Sequence, residues 1–222
     1  YYTMKRNLDN IMFKKGITLF IIFIIVYIII GYFFKSHFLI GTSINGIDLS
    51  CMNLNKATNH IKTTIGEYRL LIEGREKSSD IDLSGINFKY IDNDEIDTIV
   101  KKQNSFLWII DIFKRNNYII KNIYSYDEEL LKNKIDKLEF FNEDEITYPE
   151  NASFIFIDTE FVIVDEVYGN YLNKEKVYSE IEKSIYTGQV LLNLDESNCY
   201  INPKYCSYSK KVKQGKNIID KY

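Results

Sequence analysis

The sequence predicts an α+β protein behind one N-terminal transmembrane helix, and three observations carry that expectation. An uncharged run rich in Ile, Phe, Leu and Val separates Lys15 from Lys35. Beyond it, helix-spaced apolar faces alternate with short strand-like runs bounded by Gly, Asn and Asp. With the span removed, about 185 residues remain, enough for one large or two small domains with a real core.

The span comes first. At about 1.5 Å per residue, a helix from Gly16 to Phe34 crosses the roughly 30 Å hydrocarbon core of a bilayer and satisfies its own backbone hydrogen bonds. A soluble helix has no use for an apolar surface on every side over about five turns. Lys5, Arg6, Lys14 and Lys15 precede the run, while only Lys35 and His37 follow it closely. The positive-inside rule therefore expects a cytoplasmic tail at 1–15, a span at 16–35 and an extracytoplasmic region after about Ser36. The exit Tyr32-Phe33-Phe34-Lys35 is too bulky for a signal-peptide cleavage site, which favours an uncleaved signal-anchor in the cell membrane. Met4-Lys5-Arg6 reads as a natural translation start, with Tyr1-Tyr2-Thr3 upstream of it.

Outside the membrane, residues 38–49 read as extended, with Asn45-Gly46 turning the chain between Ile44 and Ile47. Ser50 or Asn53 can cap a helix whose Leu54, Ala57, Ile61 and Ile65 share a face. Tyr68–Ile72, Asp80–Leu83 and Ile86–Tyr90 read as three short strands in a meander, and Asp92 or Asn93 can open a helix through Ile96, Ile99 and Val100. The apolar stretch Phe106–Phe113 is too short to span a membrane and carries Asp111. A core helix or a strip on the membrane surface would fit it, and the core helix is the expectation.

Tyr118–Tyr124 reads as a strand. Asp127-Glu128-Glu129 starts a helix with acid at its positive dipole end, and Leu131, Ile135 and Leu138 form its apolar stripe. Phe154–Ile157 and Phe161–Val164 flank Asp158-Thr159-Glu160 as a hairpin. Asn173 caps a helix carrying Val177, Ile181 and Ile185, which Gly188 stops before the strand Gln189–Leu194. Gly46–Ser50 and Gly169–Asn173 each precede a helix and then a strand, a faint internal repeat.

Composition excludes several classes. At net charge −3 the chain has no electrostatic footprint for nucleic acid. Its three cysteines, Cys51, Cys199 and Cys206, are odd in number and lack a C-x-x-C pair, so free thiols are expected over a Cys199–Cys206 bridge. Asp92–Asp97 has Asp97 where a calcium loop needs Gly, and His37 and His60 have no metal-ligand partner spacing. Asn151-Ala152-Ser153 fits a glycosylation triplet that arises often by chance. No nucleophile elbow, phosphate loop or dinucleotide turn is present, so no catalytic, cofactor or metal residues are assigned and no cofactor is expected.

The order of several segments carries a resemblance. Asp127–Leu130 and Ile135–Leu138 are followed by Pro149–Ala152, the Phe154–Val164 hairpin, Glu166–Val177, Gly188–Leu194 and Cys199–Lys204. Upstream stand Ile44–Ser50 and Lys102–Trp108. Across about residues 38–206 this resembles the peptidoglycan-binding domain that precedes the catalytic domain in many L,D-transpeptidases of low-GC Gram-positive bacteria, and that also occurs in VanW-like envelope proteins. The resemblance implies peptidoglycan as a partner, with a first α+β half at 38–115, a peptidoglycan-binding-like half at 116–206 and a C-terminal linker at 207–222.

Those enzymes carry a later Ser-His-Gly-Cys motif, and no His follows His60 here. The expectation is a membrane-anchored cell-wall binding or spacer module, inert by itself. The alternatives are an N-terminal fragment of an L,D-transpeptidase, and a VanW-like protein or membrane-tethered scaffold. For sugar stacking the residues themselves offer tyrosines, among them Tyr168, Tyr171, Tyr178, Tyr200 and Tyr205.

Overall fold

A computed structural model, which describes residues 2–92 and 94–220, starts with helix α1 (Tyr2–Phe33). Residues 2–15 of the expected tail are helical and continuous with the span. No Gly or Pro interrupts residues 2–15, and the helix runs through them. Met12–Phe33 is long and apolar enough to cross a membrane, at about 33 Å of rise, and its large side chains are mostly exposed.

The chain then builds two units that interleave along the sequence. One comprises Tyr1–Gly66 and Tyr90–Tyr124, the other Glu67–Lys89 and Ser125–Tyr222. The expected division between 115 and 116 is not the observed one, because residues 67–89 supply strands to the second unit's core. Both units are α+β, with seven α-helices among the described residues.

In the first unit, β1 (Thr42–Ile44) and β2 (Ile47–Asp48) form a hairpin. Asn45 and Gly46 take φ of 49° and 78°, the left-handed pair that a tight hairpin turn requires. Helix α2 (Leu54–Gly66) is capped by Asn53 Oδ1, which accepts from Lys56 N at 2.9 Å, and it buries Ala57, Ile61 and Ile65 as its spacing predicts.

Helix α3 (Asp94–Lys102) buries Ile96 and Val100. Asp92 precedes it, whereas Asn93, the other suggested opener, lies outside the described residues. The Tyr118–Tyr124 strand is broken in two: β6 (Asn116–Tyr118) pairs in parallel with β1, and a 3-10 turn at Lys121–Ile123 follows. Buried Asn45 fixes the break, since its side chain donates to the Ile120 carbonyl and accepts from Ile120 N.

The expected core helix at Phe106–Phe113 is a correction. A 3-10 turn (Ser105–Leu107) and the short α4 (Trp108–Asp111) occupy it, and α4 has no buried residue. Two-residue strands β5 (Lys89–Tyr90) and β7 (Tyr124–Ser125) lie where the chain passes between units.

In the second unit, β3 (Arg69–Glu73) is the central strand. It pairs antiparallel with β4 (Ser78–Asp82) and in parallel with β10 (Leu191–Asn193). The meander's third place thus belongs to a distant strand, while Ile86 is buried in a turn rather than a strand. Helix α5 (Glu128–Ile135) starts at Asp127, whose carboxylate accepts from Leu130 N, and it buries Leu131 and Ile135.

β8 (Ser153–Ile157) and β9 (Glu160–Val164) form the expected hairpin, and α6 (Lys174–Thr187) is capped by Asn173 and stopped at Gly188. The faces of α5 and α6 cover the sheet through Val177, Ile181, Ile185, Leu70, Ile72 and Leu192. Part of the expected linker at 207–222 is helical. Helix α7 (Lys210–Ile219), capped by Ser209, buries Val212.

Asp82 joins β4 to α5. Its carboxylate accepts from Lys134 Nζ, from Ser84 Oγ at 2.6 Å and from Ser84 N at 3.0 Å. These bonds, the lysine's first, hold its pKa at about 2, below the ordinary 3.8. A carboxylate depressed in the folded state contributes stability that is present above its unfolded pKa and lost as pH falls through the folded value. Asp82→Asn is expected to lower the melting temperature at neutral pH and to flatten its decline between about pH 4 and 2, where the native residue becomes protonated. Circular-dichroism melts of both proteins in detergent across that range check this.

Candidate functional site

The 145–150 and 167–171 segments of the second unit run side by side, and their contact creates a cleft. Glu150 and Val167 exchange backbone bonds of 2.8 and 3.0 Å. Asn170 then fastens the two chains. Its backbone N–H donates to the Thr147 carbonyl (2.9 Å), its Oδ1 accepts from Thr147 N (2.8 Å), and its Nδ2 donates to the Glu145 carbonyl (3.0 Å). Gly169 permits the approach, because it takes φ of 61° and a Cβ there would overlap the Thr147 carbonyl oxygen.

This clamp brings Tyr148 and Tyr171 together, their ring centroids 4.8 Å apart and tilted by 45°. The pair stands at a cleft of about 430 Å³. Buried Phe140 and Leu172 line it from the core, with Phe141, Ile146 and Ile201 beside them. Leu172 is held by its bridge to Tyr200, and Ile201 N donates to the Tyr171 carbonyl at 2.9 Å. Polar groups come from Glu143, Asn173, Lys174 and Glu175.

Lys174 is oriented by Asp136 (Nζ–Oδ1 3.1 Å), with its ammonium 5.0 Å from the centre of the Phe141 ring. Tyr178 also donates to Asp136. This bond, with the lysine, holds the Asp136 carboxyl below its usual range, while burial and that acceptor push the Tyr178 hydroxyl up to about 12. The cleft offers apolar faces rimmed by donors and acceptors of both signs, which suits a polyhydroxylated ligand with charged appendages.

Arg75 braces this arrangement. Its guanidinium donates to Asp195 (2.9 Å), to Asn202 Oδ1 (2.9 Å) and to the Gly169 carbonyl (2.8 Å), and it lies 4.1 Å over the centre of the Tyr200 ring. Its own N–H donates to the Tyr200 hydroxyl at 2.9 Å. It therefore ties the Gly169 turn, and through it Tyr171, to two other loops.

Of the five candidate tyrosines, only Tyr171 lines the cleft. Tyr200 is buried beneath Arg75, and burial raises its pKa. Tyr168 meets Tyr208 (3.2 Å) and Cys206 (3.6 Å), and Tyr205 has the Lys204 and Lys211 ammoniums over its ring. Tyr148, which is 61% exposed, is the residue that sequence reasoning missed. The nearby Pro149-Glu150-Asn151-Ala152 segment was the available signal. Within it, Asn151 Oδ1 accepts from Lys204 N and Tyr205 N, so the glycosylation triplet's Asn works as a loop brace.

The three cysteines are free thiols. Cys199 is fully buried, which pushes its thiol up to about 11. Partial burial, with the Asp48 carboxylate nearby, also raises Cys51.

A family model described as "Putative peptidoglycan binding domain" matches residues 80–190, half of the chain. The match includes Tyr148, Tyr171 and the Asn170 clamp. No curated protein and no solved structure matches the chain.

Arg75→Lys keeps the charge but loses the planar fork that reaches three acceptors. It is expected to destabilise the second unit by about 2 kcal/mol, with Arg75→Ala costing at least as much. Urea melts followed by circular dichroism measure both.

Proposed function

The chain belongs to the peptidoglycan binding domain family whose model it matches, and we propose that it grips cell-wall glycan from a membrane anchor, using the Tyr148–Tyr171 cleft. The paired rings carry this reading. A pyranose ring has an apolar C–H face that stacks on an aromatic side chain, and its hydroxyl and N-acetyl groups need donors and acceptors at the rim. Asn173, Glu143 and Glu175 supply rim groups, and Lys174 offers a cation to the carboxylates of the peptide stems. In this reading α1 is the anchor, with its N-terminus in the cytoplasm and the residues after about Ser36 outside. The basic residues Lys5, Arg6, Lys14 and Lys15 before the span support that orientation.

Detergent-solubilised full-length protein is expected to sediment with purified sacculi. Tyr148→Ala and Tyr171→Ala should each weaken retention by roughly three- to tenfold, the loss expected for one aromatic contact. Tyr205→Ala, outside the cleft, should leave retention unchanged. Wild-type protein that stays in the supernatant at low and high salt, or cleft variants that bind as well as wild type, would overturn the assignment.

The module holds substrate without transforming it. Thiol catalysis needs a thiolate, and Cys199 and Cys51 are both held toward the protonated form. Cys206 Sγ meets the Tyr168 hydroxyl and the Glu166 carboxylate, and no histidine follows His60 in the chain to serve as its base. Incubation with disaccharide-tetrapeptide should yield no cross-linked product and no released terminal residue by mass spectrometry. Turnover that disappears in Cys199→Ala or Cys206→Ala would refute this.

A further inference from the structure

We propose that Phe106–Phe113 is a second membrane contact, a strip of the first unit that lies in the outer headgroup region beside the exit of α1. The proposal rests on the reading of α1 as a membrane anchor. Leu107, Ile110 and Ile112 are 45%, 49% and 43% exposed, and Phe113 is 86% exposed. Four large apolar side chains within seven residues form a patch that water disfavours, and patches of this kind mark interaction surfaces.

The contacts of the strip say what covers it. Phe106 and Trp108 pack on the last turns of the apolar helix: Phe106 against Tyr27 and Tyr32, and Trp108 against Tyr27 and Phe34 (5.9 and 6.4 Å between centroids). Gly31 makes room, since a Cβ there would stand 2.5 Å from Phe106 Cδ1. The Tyr27 hydroxyl donates to the Phe106 carbonyl, so the strip supplies the acceptor that a phenol on a lipid-facing helix cannot find in hydrocarbon. Gln103 fixes the same end of α1 by donating to the Phe34 and His37 carbonyls, both at 2.6 Å. The strip therefore abuts the last turns of the span through its packed aromatic residues.

Depth and charge agree. Tyr27 lies six residues before the end of α1, about 9 Å along its axis, which matches the roughly 5–10 Å to which interfacial helices sink. The end of the strip bonds to its own backbone, with Ile112 N donating to the Trp108 carbonyl and Lys114 N to that of Asp111. Asp111 limits the strip to headgroup depth, because a carboxylate at the bilayer centre is costly. Exposed Lys102, Lys114 and Arg115 flank the strip in sequence, and the Lys35 ammonium lies 5.9 Å over the Phe106 ring. These cations suit anionic phospholipid headgroups.

Trp108 is the chain's one tryptophan, so its fluorescence reports on the strip alone. Full-length protein is reconstituted into phosphatidylcholine–phosphatidylglycerol vesicles carrying spin-labelled lipid, with the label near the headgroup or near the chain end. Vesicle-bound protein should resist alkaline carbonate, and the headgroup-proximal label should quench Trp108 at least twofold more than the chain-end label. Ile110→Asp with Phe113→Asp, both at exposed positions, should halve that quenching and leave carbonate resistance intact. Protein that resists carbonate while Trp108 is quenched by aqueous acrylamide and by neither lipid label would overturn the strip and leave the anchor standing. So would stronger quenching from the chain end, or a double variant that quenches like wild type. Extraction by carbonate would remove the anchor, and the strip with it.

Discussion

The fork of Arg75 holds the second unit's loops in register. One planar cation in the turn after β3 reaches carboxylate, amide and carbonyl acceptors on segments near residues 169, 195 and 202. A partly buried guanidinium is costly unless its donors are matched, and here the matching acceptors come from three separate stretches of the chain. Once the Gly169 turn is fixed, Asn170 faces Thr147, the two segments zip, and Tyr148 has no place but beside Tyr171. The cleft is thus held by this electrostatic brace together with the backbone bonds of its two segments, and its two aromatic rings stand beside one another before any ligand arrives.

Local chemistry was legible in the sequence, and non-local chemistry was not. The faces of α2, α5 and α6, their Asn53, Asp127 and Asn173 caps, and the Asn45-Gly46 hairpin all follow from residues within one or two turns of each other. The parallel pairing of β3 with β10 could not be read that way, since it joins Leu71 to Leu191. Ile86–Tyr90 looked like the missing third strand because a buried turn and a short strand have the same composition. Arg75 lies 120 residues from Asp195, and neither residue carries a local sign of the other. Tyr148 was hidden for the same reason, because what makes it distinctive is the ring beside it.

The strip at Phe106–Phe113 failed differently. Its composition announces burial, and composition cannot say whether protein or lipid does the burying. A core helix would show a buried stripe, whereas α4 shows none, and the aromatic residues that do pack choose the apolar helix as their partner. Exposure next to a candidate span is the observation that separates the two meanings of an apolar run.

Interleaving constrains what any piece of this chain can do. The family match begins within β4 and ends just before β10, so it omits β3, the central strand that both of them pair with, and Arg75 as well. Residues 116–206 taken alone would lack β3, β4 and the brace on Gly169, leaving β10 without a partner and the faces of α5 and α6 without the sheet they cover. The unit that carries the cleft therefore cannot be cut out as one continuous segment without carrying residues 90–124 of the first unit. Its core closes only when the chain leaves the first unit at Gly66, lays down two strands and returns at Tyr90. Affinity measured on residues 116–206 alone would report on a broken sheet, while affinity measured on the whole chain would report on the cleft.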